Sequence, residues 1–151
     1  KSLRLNQAEA WRQNSSGETT ISYDETEKAL RFHTDFSKAK NGYWCYPEYI
    51  LQSPDESLRG AVAISFDIKM KQKNNTQYIP HHMVMLVDQD IKEKGKWDRL
   101  LYHKPNNEWQ EEFLNIPFSD SEKYKMIRIG MGTSEEELDF WLRNIKIHYK
   151  K

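Results

Sequence analysis

The chain has 151 residues, enough to bury a core without disulfides or metals and too few for two full domains. Twenty-three Lys and Arg balance twenty-three Asp and Glu, so no long-range field draws in a phosphate backbone or an anionic lipid surface. Charge therefore argues against nucleic acid and membrane as partners. No apolar run approaches the roughly 20 residues of a membrane-spanning helix, and the first residues lack the apolar stretch of a signal peptide. Cys45 is the only cysteine, so it forms no intramolecular bridge and no CxxC motif. Aromatic residues make up 13% of a chain that is only 37% hydrophobic, which predicts that some rings face solvent.

In chain order, Leu3–Gln13 reads either as an amphipathic helical turn or as an irregular opening strand. Strand-like composition follows at Thr19–Tyr23, Ala29–Thr34 and Tyr43–Leu51. The stretch Ala61–Lys71 alternates strictly and puts Val62, Ile64, Phe66, Ile68 and Met70 on one side, a long half-buried strand. Further strands are predicted at His82–Val87, Arg99–His103, Trp109–Asn115, Tyr124–Met131 and Leu138–Tyr149. Polar, Asn-Gly and Pro-containing turns separate most of them. The last strand changes phase: Leu138, Phe140 and Leu142 share one parity, whereas Ile145, Ile147 and Tyr149 share the other. A β-bulge at Arg143-Asn144 explains the switch. Eight to ten short strands with these turns predict an all-β fold, an antiparallel β-sandwich of jelly-roll type, over residues 1–151 as one domain.

Several segments taken together resemble one family. Glu9 and Trp11 stand near the start, followed by Ala29-Leu30-Arg31-Phe32 and a long strand over Gly60–Lys71. Glu108-Trp109-Gln110 precedes Phe113 and Ile116-Pro117, and the chain closes on Phe140-Trp141-Leu142-Arg143-Asn144-Ile145-Lys146-Ile147. This pattern is similar to the jelly-roll carbohydrate-binding modules, or galactose-binding-like β-sandwiches, of modular glycoside hydrolases. The resemblance spans nearly the whole chain. It implies a non-catalytic, monomeric, extracellular module, secreted or cell-surface, excised from a larger protein, that tethers a covalently linked polysaccharide-degrading enzyme to a polysaccharide or oligosaccharide. The alternative is a structural or protein-interaction sandwich supporting a neighbouring catalytic domain. Many modules of this family carry a structural calcium, held by an acid near the first strand and an Asp in the last. Glu9 fits the first position, but Arg143 occupies the second with a permanent positive charge, and only nearby Asp139 keeps calcium open. No cofactor is expected otherwise.

Sugar rings present C–H faces to aromatic planes and hydroxyls to amides, carboxylates and guanidinium groups. The densest aromatic segment is Tyr43-Trp44-Cys45-Tyr46-Pro47-Glu48-Tyr49. With Cys45 pointing inward, Tyr43 and Tyr49 share its face, and Trp44, Tyr46 and Glu48 face away. Trp97 precedes Asp98 and Arg99, an arrangement for the mouth of a groove or for a ring capping a core edge. Trp109 follows Asn106-Asn107-Glu108 and shares its face with Phe113, which reads as internal. The candidate sugar-binding set is therefore Trp44, Tyr46, Glu48, Trp97, Arg99, Asn107 and Trp109. Trp11 and Trp141 read as packing residues.

Catalytic patterns are weak. Asp88-Gln89-Asp90-Ile91-Lys92-Glu93 resembles the acidic signature of laminarinase-type hydrolases but has Asp88 where that family has Glu, and solvated turn carboxylates are the plainer reading. His81 and His82 point to opposite faces of a strand, while His33, His103 and His148 are isolated, so none forms a chelating pair. Nothing local activates Cys45. Gly130-Met131-Gly132 is too short to cradle phosphate and reads as the strand's release into the Thr133-Ser134-Glu135 turn. Asn14-Ser15-Ser16 and Asn74-Asn75-Thr76 match the glycosylation sequon, a pattern common by chance.

Overall fold

A computed structural model describes residues 3–52, 54–72, 81–88, 96–102 and 107–151. These form eleven strands: β1 Trp11–Arg12, β2 Glu18–Asp24, β3 Ala29–Asp35, β4 Tyr43–Cys45, β5 Glu48–Ile50, β6 Ala61–Gln72, β7 His81–Val87, β8 Lys96–Tyr102, β9 Gln110–Asn115, β10 Met126–Thr133 and β11 Glu137–Tyr149. One sheet has the order β1-β5-β10-β7-β8, with β4 also pairing β10; the other runs β2-β3-β11-β6-β9. Every strand pair is antiparallel. The architecture is the expected β-sandwich.

Alternation explains the core. On β6, Ile64, Phe66, Ile68 and Met70 are nearly or fully buried, as their spacing predicts, while Val62 at the strand's start stays 42% exposed. Cys45, Tyr49, Val84, Leu86, Ile127, Ile129 and Met131 meet them from the other sheet. Phe32 and Phe140 stack at 4.8 Å between centroids, and Trp11 stands edge-on to both Phe32 and Tyr49. Each such buried side chain contributes about 1.5–3 kcal/mol.

The phase change in β11 is a bulge. Its pairing with β6 shifts register between Arg143 and Lys146, and Asn144 adopts φ 54°. Asn tolerates this left-handed backbone better than most residues. Ile145 is buried and Ile147 packs against the core, but Tyr149 is 42% exposed, its hydroxyl donating to the Ser57 carbonyl.

Four expectations change. The opening segment is one 3-10 turn, Ala8–Ala10, leading into the two-residue β1, so neither a full helix nor a long strand forms. The predicted strand Tyr43–Leu51 is split into β4 and β5, because Pro47 has no N–H for a ladder. With β1, this split takes the strand count to eleven. Phe113 is not internal: it lies on the outward parity of β9 and is 61% exposed. Finally, β10 runs through Gly130 and Gly132 to Thr133, two residues beyond the predicted Met131, before the bend at 134–136.

Candidate functional site

The outward face of the first sheet is built by the β4–β5 interruption. Tyr46 leaves the β10 ladder and is clamped instead by Asn14, whose carbonyl accepts from the Tyr46 N–H at 2.8 Å and whose side-chain amide donates to the Tyr46 carbonyl at 3.1 Å. Trp44 is fixed in the same way by Ser16: its N–H donates to the Ser16 hydroxyl, and its carbonyl accepts from the Ser16 N–H. Gly130 passes beneath. A Cβ there would lie 1.9 Å from the Cys45 carbonyl oxygen and 2.7 Å from the Tyr46 Cα, so only glycine lets this backbone approach.

The result is a pair of half-buried rings on one face. Trp44 and Tyr46 lie 6.1 Å apart between centroids with their planes within 24°. Beside them runs a cross-strand row of Arg12, Glu48, Arg128, Met85 and Asp98. Glu48 is 4% exposed and accepts from Arg12 Nε at 2.8 Å and from Arg128 Nε at 2.5 Å, one arginine on each carboxylate oxygen. A guanidinium carries five N–H donors, so one bond to Glu48 does not exhaust either arginine. Met85, Val87 and Met126 form an apolar bed against which Tyr46, Ile50 and Met83 pack, and Leu100 opposite Met83 is 57% exposed. The face thus combines flat rings, a soft apolar floor and charged hydrogen-bonding groups.

Trp44, Tyr46 and Glu48 therefore come together on the face away from Cys45, with Tyr43 and Tyr49 turned inward. The other predicted residues lie elsewhere. Trp97 stands opposite the buried Leu86 and meets Phe118 edge-on at 5.8 Å, which makes it a ring capping the core edge rather than part of the open face. Arg99 is exposed on the edge strand β8. Asn107, at φ 68°, is exposed in the turn before β9 and donates its N–H to the Met70 carbonyl. Trp109 belongs to the opposite sheet, where the Arg143 guanidinium lies 3.8 Å above its ring and Lys69 Nζ 5.2 Å away.

That opposite surface is a self-contained network. Lys69, only 8% exposed at its side chain, is held between Trp109 and Trp141 and pairs with Glu27 at 2.8 Å. The Trp141 indole donates to Asp24, whose carboxyl is held below its usual range chiefly by the Glu27 N–H and then by this bond. Arg31 and His33 both meet Asp139, and Arg143 meets Asp67 at 3.1 Å. Asp139, the acid that left calcium open, is thus engaged by Arg31 and His33, and Arg143 stands at the other position paired with Asp67. Among the described residues, no group of three or more His, Cys, Asp or Glu is placed to hold a metal ion.

Of the remaining candidates, the Cys45 thiol is pushed up by burial, the opposite of an activated nucleophile. His82 is fully buried against Glu112, and His148 lies 2.7 Å from the Ser65 hydroxyl. Asp90, Glu93, His103 and Asn74 fall outside the described residues, as does the acidic run beyond Asp88.

Sequence reasoning missed Arg128 and the methionine bed. Their signal was present in Met126-Ile127-Arg128-Ile129-Gly130, where Arg128 alternates with two core residues and must share a face with Gly130. His82-Met83-Val84-Met85 repeats the pattern on the neighbouring strand.

No family model and no curated protein matches the sequence. Solved structures do match. The chain is similar to the module CBM29-2, solved as a variant complexed with mannohexaose, at TM-score 0.60 and 15% identity over 92% of this chain and 80% of that one. It is also similar to TmCBM61 in complex with β-1,4-galactotriose, at TM-score 0.58 and 8% identity over 97% and 92% of the two chains. A third neighbour is the family 11 carbohydrate-binding module of the cellulosomal cellulase Lic26A-Cel5E of Clostridium thermocellum, at TM-score 0.55 and 18% identity over 93% and 88%. The chain has the jelly-roll β-sandwich fold of carbohydrate-binding modules.

Proposed function

We propose that the protein is a non-catalytic carbohydrate-binding module that holds glycan on the outward face of its first sheet. The observation that carries this reading is the Trp44–Tyr46 pair: two nearly parallel, half-buried rings anchored by Asn14 and Ser16, beside the Arg12–Glu48–Arg128 row. Rings take the C–H faces of sugars, and the charged row takes hydroxyls. The solved neighbours, two of them bound to oligosaccharides, support the same ligand class.

Affinity is expected in the micromolar to millimolar range, about −8 to −4 kcal/mol. Such weak binding is useful through linkage: a module attached to a polysaccharide-degrading enzyme raises its effective substrate concentration. The proposed setting is outside the cell, as a monomeric unit of a larger secreted protein. Affinity electrophoresis against a panel of soluble polysaccharides tests the reading. Retardation that disappears in the Trp44→Ala, Tyr46→Ala double variant is the expected result. Equal retardation of both proteins excludes this face, and no retardation across the panel favours a supporting domain.

A further inference from the structure

The second sheet carries an open groove of about 510 Å³ on its outward surface, lined by Ser65, Asp67, Glu111, Phe113, Lys146 and His148. It borders the cation–aromatic network at Asp67, the partner of Arg143, and continues from there along β6 and β9 to Ser65 and Phe113. Phe113 is 61% exposed, the most solvent-accessible large apolar side chain among the described residues. The His148 ring lies 5.0 Å from it, tilted by 49°, and is oriented by Ser65 at 2.7 Å. Opposite Phe113 on the neighbouring strand β6 is Ser65, which itself opposes Lys146 on β11, so the apolar ring is followed across the sheet by a hydroxyl and an ammonium. One step along, Glu111 opposes Asp67, whose Oδ2 accepts from Arg143 Nε at 3.1 Å and from Asn144 Nδ2 at 2.8 Å.

We propose that this groove is a second saccharide-binding site, taking a neutral sugar whose C–H face stacks on Phe113 and whose hydroxyls meet Lys146, Glu111 and Asn144. The choice of ligand class rests on the carbohydrate-binding reading above, whereas the position of the groove does not. An exposed ring with a second ring beside it, bordered by both donors and acceptors, is the composition that sugar recognition needs. Acidic sugars fit poorly. Arg143 is already matched by Asp67, and Glu111 offsets Lys146, so a uronate finds no uncompensated positive charge. The bulge contributes directly, because the residue it inserts, Asn144, carries the amide that meets Asp67. A module with one site on each sheet bridges two glycan chains.

The test is nuclear magnetic resonance of the full chain, isotopically labelled, titrated with mannohexaose, cellulohexaose, β-1,4-galactotriose and, as an acidic control, an oligogalacturonate. In a Trp44→Ala background, the Phe113 and His148 ring signals are expected to shift saturably with a neutral oligosaccharide and not with the uronate. Phe113→Ala weakens that curve about threefold to tenfold, while Phe113→Tyr retains it. Because Phe113 is largely exposed, both variants fold. In the parent protein, titrated alongside, shifts confined to Trp44 and Tyr46 overturn the second site and leave the first standing. Shifts confined to Phe113 and His148 do the reverse. Equal response to the uronate overturns the neutral ligand class, and no shift anywhere overturns both sites.

Discussion

Gly130 lies directly beneath the Cys45 carbonyl, with only 1.9 Å between that oxygen and the position a Cβ would take. The obstructing atoms are backbone, so no rotamer change relieves the contact. Gly130→Ala is expected to cost about 1–3 kcal/mol through forced displacement of β4. Its second effect is local: Tyr46 moves with the displaced backbone, and glycan retention falls along with the melting temperature. A variant that melts like the parent and binds equally well would show that β4 relaxes freely, contrary to the packing described.

The Arg12–Glu48–Arg128 row makes an asymmetric prediction. Arg12 is 57% exposed at its side chain and Arg128 only 16%, while the Glu48 side chain is 5% exposed. Arg12→Ala should change unfolding free energy by no more than about 1 kcal/mol, the range of exposed ion pairs. Glu48→Ala should cost more, about 3 kcal/mol, because it leaves Arg128 as a poorly hydrated charge beside an apolar bed. Urea unfolding of the two variants decides the order, and an equal loss would mean that water reaches Arg128 freely.

Trp44 and Trp97 separate binding from packing. Trp44→Ala is expected to lower glycan affinity about tenfold with little change in stability. Trp97→Ala removes the edge contact with Phe118 and is expected to lower stability by about 1–3 kcal/mol without changing affinity. Calorimetric titration and thermal unfolding of both proteins give the two axes. Reversed effects would move the site to the Trp97 end of the sheet.

Tyr49 sets an alkaline limit. Burial first, and then donation of its hydroxyl to Glu56 at 2.6 Å, push its phenol up to about 12 from an ordinary 10. A raised acid favours the folded state while neutral, so this contribution is complete below pH 10 and is lost as pH rises toward 12. Stability of the parent should therefore fall more steeply across that window than stability of Tyr49→Phe. Parallel curves in denaturant titrations at successive pH values would remove Tyr49 as the cause.

The fold was legible because alternation is a strong signal: β6 and β11 announce their buried faces residue by residue, including the bulge. The Tyr43–Tyr49 segment was legible for the same reason, since one inward cysteine sets the parity of its neighbours. Sites that depend on which sheet a strand joins were not legible. Trp109 and Trp97 have sugar-site neighbours in sequence, yet pairing places them on the opposite sheet and on the core side, and local composition carries no information on pairing. Phe113 misled because a large ring in an alternating strand is usually buried. Here the strand's inward positions are Gln110, Glu112 and Leu114, so polarity is inverted relative to the pattern.

Asn144 is an added residue that the interior does not register. Without it, Ile145 and Ile147 would still alternate in step with Leu142, so the core would accept the shorter strand unchanged. What a deletion would remove is the amide that meets Asp67 and the local twist that carries it there, and it would disturb the two hydrogen bonds between Asn6 and the Ile145 backbone. One inserted residue therefore shapes the second face and, through the Ile145 backbone that Asn6 holds from both sides, ties down the start of the chain.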